Sequence, residues 1–179
     1  MPPKPAGLQS LDYVLLGMLT QQPRHGYELH KELCTLEGLG LVWHTKQAQL
    51  YAALDKLENQ DFLSSRLITT PSHPPRKEYH LTEPGLKVFE SWMLSPVEHE
   101  REIRQDFLAK FYFARLYGEE TARQVIEAQR KVLEGIQARM ESEGDAFSST
   151  QTYEKQVYLF RMKQIQAFID WLDTCMVGI

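Results

Sequence analysis

Apolar residues recur at intervals of three and four along the first 60 residues, the spacing of one buried helical face. The pattern predicts three helices. Ser10 is expected to cap the first and Thr45 the third, while Gly38 and Gly40 end the second. The apolar positions are, in chain order, Leu11, Val14, Leu15, Met18 and Leu19, then Tyr27, Leu29, Leu33 and Leu36, then Leu50, Leu54 and Leu57.

Two extended runs follow the third helix. They are FLSSRLITT (62–70) and KEYHLT (77–82), joined by the proline-rich loop PSHPPRK (71–77). Thr82 is expected to cap a fourth helix, whose first turn tolerates a proline. Helix, strand, basic hairpin tip and strand is the segment order of a winged helix, in which one helix enters a DNA major groove and the basic loop contacts the flanking backbone.

The second half of the chain is predicted to be all helix. No proline follows Pro96, and helix interiors exclude proline. Apolar stripes near 103–117, 122–140 and 153–172 indicate three helices, separated by Gly118 and Gly144. The predicted fold is mainly α with a small β-hairpin. It comprises a disordered tail (1–9), a winged helix-turn-helix domain (10–95) and an all-α, antiparallel helical dimerisation domain (96–179), whose aromatic residues exceed what three helices bury alone.

Composition and hydropathy indicate the compartment in which the protein is located. The chain is 42% hydrophobic and 25% charged, as in ordinary globular proteins, and it has no apolar run of the roughly 18–20 residues that span a bilayer. The start, MPPKPAG, has no apolar core of a signal peptide. Cys34 and Cys175 are the only cysteines and make no disulfide framework. We therefore expect a cytoplasmic protein.

The net charge of −4 argues against a general nucleic-acid coat, so local placement of cations decides the matter. Arg76 and Lys77 are expected at the hairpin tip. On the third helix, a wheel centred on Leu50 points Ala48, Gln49, Ala52, Asp55, Lys56 and Asn59 outward, with Tyr51 at the flank. Amides and small side chains on such a face can meet base edges. The candidate DNA contacts are Lys46, Gln47, Ala48, Gln49, Tyr51, Ala52, His73, Arg76 and Lys77; the alternative is a solvated helix face and a polar hairpin tip.

Other chemistry is weakly supported. His30 and Cys34 are spaced to share a metal ion, but no second ligand pair has suitable spacing, so Cys34 is expected to be a small core residue. No GxSxG, HExxH, GxGxxG or P-loop pattern occurs, which disfavours an enzyme. We expect no metal and no cofactor. Five aromatic residues flank the boundary between the halves and either line an effector pocket or only pack the junction: Trp43, Trp92, Phe107, Phe111 and Tyr112.

Four segments resemble the PadR family of bacterial transcriptional regulators. They are LDYVLLGML (11–19), HGYEL (25–29), QLYAALDKLENQDFL (49–63) and RKEYHLTEPG (76–85). The second half is similar in architecture and length to the helical C-terminal domain of the longer, virulence-activator-like members. The resemblance implies a homodimer paired through the C-terminal helices, DNA binding by helix 46–60 and a wing near 66–79, a backbone contact by Tyr51, and a wing role for Arg76 and Lys77.

Asp61 departs from the family's usual glycine after the recognition helix, but aspartate tolerates a left-handed turn better than most residues. The hypothesis is a sequence-specific transcriptional regulator that represses from a pseudo-palindromic operator and responds to a small aromatic effector. One alternative is a winged-helix adaptor that binds a protein instead of DNA. A metal or redox enzyme is the other. The sequence specifies neither the operator, the regulated genes, the effector nor the direction of regulation.

Overall fold

A computed structural model of the protein describes residues 7–70, 73–144 and 152–179, so most of the expected tail and the tip of the hairpin lie outside the described residues. The described residues of the first half form four helices, a 3₁₀ turn and three strands. They are α1 (Ser10–Met18), β1 (Arg24–His25), α2 (Gly26–Leu33), the 3₁₀ turn (Gly38–Leu41), α3 (Gln47–Asn59), β2 (Leu63–Thr70), β3 (His73–Leu81) and α4 (Glu83–Leu94).

The second half is helical, as predicted. Its first helical run is continuous but contains a π turn, so the predicted stripe from Ile103 spans two helical geometries. The elements are α5 (Glu100–Glu102), the π turn (Ile103–Phe107), α6 (Leu108–Tyr117), α7 (Glu119–Gly144) and α8 (Thr152–Val177). No helix in the described part of the chain is both long enough and apolar enough to cross a membrane.

The sheet is three-stranded and antiparallel, in the order β1–β3–β2. The hairpin of β2 and β3 was predicted, and Leu63 lies opposite Leu81. Strand β1 was not predicted, because its two residues are too few for an alternating pattern. It pairs Arg24 with Tyr79 and His25 with Glu78, which ties the start of α2 to the hairpin.

Helix capping was predicted correctly at only one of three positions. Thr82 accepts a hydrogen bond from the Gly85 amide at 3.2 Å and caps α4. The expected caps Ser10 and Thr45 are wrong, since Gln9 and Lys46 occupy the N-cap positions of α1 and α3. The Ser10 hydroxyl instead donates to Asp106 at 2.9 Å.

The turn after α3 survives the replacement of glycine by aspartate. Asp61 has a φ of 59°, in the left-handed region that aspartate tolerates. Its carbonyl accepts a hydrogen bond from the Thr82 hydroxyl at 2.7 Å, so the turn is bonded to the start of α4. The prediction that the chain turns here is confirmed.

A single continuous core runs through both halves. Leu50, Leu54 and Leu57 form the buried face of α3, as predicted. Helix α1 is buried almost all round and packs on α3 and α4. A Cβ at Gly17 would lie 2.5 Å from Phe89 and 2.6 Å from Phe113, so only glycine allows these rings to approach α1.

The segment that joins α4 to α5 is held by buried polar side chains. The Lys110 ammonium donates to the Ser95 carbonyl at 2.7 Å. The Gln129 amide brackets Val97, accepting from its N–H at 2.8 Å and donating to its carbonyl at 3.1 Å. Lys110 also lies 5.0 Å from the centre of the Trp92 ring, which stacks on Tyr13 at 5.0 Å and contacts the Phe89 ring at 6.1 Å.

An ion pair with a buried carboxylate and a partly exposed ammonium joins α1 to α3. The Asp12 side chain is 3% exposed and binds the ammonium of Lys56. The wheel placed Lys56 on the outer face, which is wrong: its long stem lets the charge reach back along the helix to a carboxylate that would otherwise be buried alone. The same carboxylate accepts from the Gln9 amide at 2.6 Å.

We expect Lys56→Met to lower the free energy of unfolding by about 2 kcal/mol, because it leaves the Asp12 charge buried without its partner. Urea denaturation at a fixed protein concentration measures the change. Lys87→Met is the matched control, since the pair of Lys87 with Glu83 is exposed on both sides and should contribute less than about 0.5 kcal/mol. Equal losses in the two variants would contradict the importance of burial.

Candidate nucleic-acid interface

Helix α3 presents an uncharged face at its N-terminal end. The side chains of Ala48, Gln49 and Ala52 are exposed, as the wheel predicted, and so is that of Gln47. The Gln49 side-chain oxygen accepts from the Lys46 amide at 3.3 Å, which restrains the side-chain amide at the start of α3. Asp55 is the first exposed carboxylate along this face, so the N-terminal half suits close approach to a polyanion better than the C-terminal half does.

Tyr51 lies half-buried at the flank of this face, between α3 and the start of α2. A Cβ at Gly26 would lie 2.8 Å from Cε1 of the Tyr51 ring. Glycine at this position therefore allows the ring to pack against α2. The phenol lines a cleft of about 510 Å³, together with His25, Tyr27, Arg76 and Lys77.

Arg76 and Lys77 do not lie at a loop tip, as the sequence suggested. Strand β3 begins at His73, and these residues pair with Ile68 and Leu67 of β2. The two prolines before Arg76 fit the strand because β1 pairs only with residues 78 and 79. Among the described residues no strand pairs with the other edge of β3 at these prolines, and a missing N–H is tolerated at such an edge. The His73 side chain lies outside the described residues.

The two adjacent cations have different surroundings, because neighbouring side chains of a strand point to opposite faces. The Lys77 ammonium binds Glu58 at 2.9 Å and lies 3.9 Å from Asp55, both on α3. Its hydrogen bond lowers the pKa of Glu58, an effect to which Ser65 adds. The same bond raises the pKa of Lys77. Half of the expected basic pair is thus neutralised within the protein.

Arg76 lies over the Tyr27 ring, 5.3 Å from its centre. The His25 ring stacks on Tyr27 at 5.7 Å, and His25 Nδ1 donates to the Lys77 carbonyl at 2.9 Å. Within the described part of the chain, no ion pair engages Arg76. This cluster of Arg76, Tyr27 and His25 extends the candidate surface beyond the residues predicted from sequence. The sequence signal that could have revealed His25 and Tyr27 as part of this surface is the HGYEL segment.

The five aromatic residues of the expected effector pocket are not gathered into one cluster. Phe107 stacks on Phe111 at 6.3 Å, and both make edge contacts with Trp171. Trp92 packs separately on Tyr13. Tyr112 lines a different, charged cleft beside α2.

Two polar atoms near this junction are unsatisfied. The Tyr13 hydroxyl and the Trp43 indole N–H are buried, and neither has a hydrogen-bond partner among the described residues. Burial raises the pKa of Tyr13, to which the nearby charges of Asp12 and Asp106 add. Buried polar groups usually have partners, so the junction has unused hydrogen-bonding capacity.

The expectation for Cys34 is wrong. The residue is exposed and lies at the C-cap of α2, one residue beyond the buried Leu33. The His30 ring lies 3.7 Å from the Cys34 sulfur. No group of three or more possible ligands that could hold a metal ion occurs among residues 7–70, 73–144 and 152–179.

Comparison with known proteins identifies the architecture. Residues 15–91 match the model of the transcriptional regulator PadR-like family. The negative transcriptional regulator PadR of Bacillus subtilis is 23% identical over 181 residues, which cover 96% of this chain and 98% of that protein. Residues 15–91 of the chain belong to the PadR-like family. The resemblance inferred from the four segments is confirmed, and the family is one of transcriptional regulators, not enzymes.

Other known proteins match along most of the chain. A probable transcriptional regulator of Mycobacterium tuberculosis is 24% identical and aligns with 92% of this chain and 94% of its own length. The crystal structure of Bacillus subtilis PadR in complex with operator DNA has a TM-score of 0.49 and 20% identity, covering 96% of this chain and 99% of that one. The structure of the same regulator in complex with p-coumaric acid has a TM-score of 0.43 and 22% identity, covering 95% and 98%.

We expect Lys77→Gln to reduce stability at pH 7 by less than about 1 kcal/mol, because the pair with Glu58 is partly exposed. A carboxyl whose pKa is lowered on folding contributes stability above its unfolded pKa and loses it as the pH falls through the folded value. The difference between wild type and variant should therefore close below about pH 4. Urea denaturation at pH 7 and pH 3 tests this, and an undiminished difference at pH 3 would assign the loss to packing.

Proposed function

We propose that this PadR-like regulator binds a specific operator as a homodimer and represses transcription by occupying it. The observation that carries the proposal is the juxtaposition of the uncharged N-terminal face of α3 with Arg76, whose guanidinium is not consumed by an ion pair among the described residues. Amides and methyl groups suit base edges, whereas a cation beside them suits phosphate. The site is proposed to comprise Lys46, Gln47, Ala48, Gln49, Tyr51, Ala52, His73, Arg76 and Lys77, joined by His25 and Tyr27.

The division of labour is proposed to follow the domains, with residues 10–95 binding DNA and 96–179 pairing the subunits in the cytoplasm. A symmetric dimer calls for half-sites separated by whole helical turns. Repression is the activity named for the Bacillus subtilis relative. An adaptor that binds only proteins is the second candidate, favoured by the charge of −4 but not by the free cation beside α3.

We also propose that the junction of the two halves receives a small aromatic effector with a polar group. The support is the pair of buried polar atoms on Tyr13 and Trp43 that lack partners among the described residues; the Tyr13 ring stacks on Trp92. An effector that satisfied such a donor would gain a hydrogen bond in a dry environment.

Gln49→Ala should weaken binding to a site selected from random DNA by about 1–3 kcal/mol and change binding to unselected DNA little, because an amide reads base edges. Arg76→Ala should weaken both, and should flatten the log–log salt dependence by about 0.9 for each phosphate that the side chain neutralises in the wild type. Lys77→Ala should change that slope less, since its charge is already paired with Glu58. Titrations at several salt concentrations on both DNAs measure these effects.

Asn59→Ala, at the far end of the same exposed face, and Lys87→Ala, on α4, serve as controls and should change neither binding nor slope. Equal weakening of both DNAs by Gln49→Ala would show that the roles of helix and wing are wrongly assigned. Absence of binding to any DNA by the folded wild type would support the adaptor.

The dimer is proposed to form through α8, which exposes an apolar stripe at helical spacing. Tyr153, Val157 and Phe160 are 73%, 38% and 64% exposed. Monomeric proteins rarely expose large contiguous apolar patches to water. We expect the wild type to have twice the 20.8 kDa mass of one chain, and Tyr153→Glu/Phe160→Glu to be monomeric at micromolar concentration. Sedimentation equilibrium tests this. The control is Leu36→Glu, at an exposed leucine outside α8. A dimeric double variant would place the interface elsewhere.

A further inference from the structure

The C-terminal half contains an open groove. Its residues belong neither to the proposed DNA surface nor to the aromatic junction, which comprises Trp43, Trp92, Phe107, Phe111 and Tyr112. It lies where the start of α5 meets α7 and α8, and its volume is about 870 Å³. This is within the range of roughly 300–1,000 Å³ typical of small-molecule sites. All of its lining residues belong to the described part of the chain.

Helix α7 supplies the groove with two adjacent ridges. Residues four apart on a helix lie one above the other, which places Gly135 between Lys131 and Arg139 on one ridge. The neighbouring ridge consists of Val132, Ile136 and Met140, which line the same groove. At 1.5 Å per residue the two cations stand about 12 Å apart along the axis. An apolar strip therefore runs beside a pair of positive charges.

The charge of the groove is opposite in sign to that of the whole chain. Its lining includes the cations Arg101, Lys131, Arg139 and Arg161 but only two carboxylates, Glu98 and Glu100, whereas the protein carries −4. Glu100 binds Arg161 at 3.2 Å. Among the described residues no ion pair engages the other three cations. The cations of the lining thus outnumber its carboxylates by two.

Gly135 keeps the groove open between its cations. Glycine in a helix interior costs roughly 1 kcal/mol relative to alanine. Close packing does not require it here, because a Cβ at this position would meet no atom of the described residues within 4 Å. This contrasts with Gly17, where a Cβ would overlap two phenyl rings. The missing side chain leaves the apolar ridge accessible from the side of Lys131 and Arg139.

We propose that this groove binds a small carboxylic acid with an apolar body. The body would lie along Val132, Ile136 and Met140, and the carboxylate would accept charge-assisted hydrogen bonds from Arg139 or Lys131, the former able to bind it through two nitrogens. The proposal is independent of DNA binding. It also differs from the effector proposal, because none of the groove residues belongs to the aromatic junction.

Isothermal titration of the full-length protein with decanoate, below its micelle concentration, tests the site. Lys131→Gln/Arg139→Gln should weaken binding by about tenfold or more, as expected for loss of hydrogen bonds from charged donors. The matched control is Lys155→Gln/Lys163→Gln, which removes two exposed cations of α8 outside the groove and should leave the affinity unchanged. Decyltrimethylammonium, with the same apolar chain and the opposite charge, should not compete.

Gly135 provides a test that retains every charge. Gly135→Trp should abolish decanoate binding by filling the groove, while Gly135→Ala should retain it. Undiminished binding by the Lys131/Arg139 variant, or competition by the cationic amphiphile, would overturn the proposal in favour of unspecific apolar binding. Sedimentation equilibrium is run on each variant, and a change of subunit association without a change in decanoate affinity would overturn it in favour of a contact between subunits.

Discussion

The burial of α1 is the constraint on which the rest of the structure depends. From Tyr13 to Leu16 no side chain of this helix is more than 2% exposed, a pattern that requires neighbours on every side. Helix α3 packs on one side of α1 and α4 on another, and the ring of Phe113 from α6 reaches Gly17. The helix that carries the candidate DNA-reading face and the helices that follow residue 96 are therefore positioned against the same central element.

Polar contacts at the N-terminal end of α1 fix its two neighbours individually. Asp12 binds Lys56 of α3, while Ser10 donates to Asp106 of the π turn. Directionless apolar packing would let these elements slide, whereas buried hydrogen bonds define a register because leaving one unmade costs about 1–3 kcal/mol. A displacement of the π turn or of Trp92, which stacks on Tyr13, must therefore move α1 or break a buried contact. This makes α1 the physical connection between the aromatic junction and the candidate reading helix.

Local periodicity was sufficient to predict the helices and the hairpin. It was not sufficient to predict which distant side chains contact one another. The stripe of Leu50, Leu54 and Leu57 predicted the buried face of α3, because every third or fourth residue faces the same way whatever lies opposite. The inward reach of Lys56 depends on Asp12, 44 positions away, and no local pattern encodes such a partner. Strand β1 is too short to have a period. Lys46 occupies the N-cap position of α3, although the side chain of Thr45 is the better cap in isolation.

For the same reason, the sequence predicted only part of the geometry of the candidate site. The outer face of α3 follows from its own period, but the sequence presents Arg76 and Lys77 as one basic pair. The alternation of a strand separates them: Lys77 turns toward the carboxylates of α3, and Arg76 turns toward Tyr27.

The separation of Arg76 from Lys77 limits how the proposed regulator can bind DNA. Affinity that depends on phosphate contacts grows with the number of free cations, and this surface offers few in a chain of charge −4. In the proposed regulator, discrimination would then come from the fit of Gln47, Ala48, Gln49 and Ala52 to base edges and from the spacing of two such helices in a dimer. A weakly charged surface has a corresponding advantage, because it leaves little attraction for DNA of the wrong sequence.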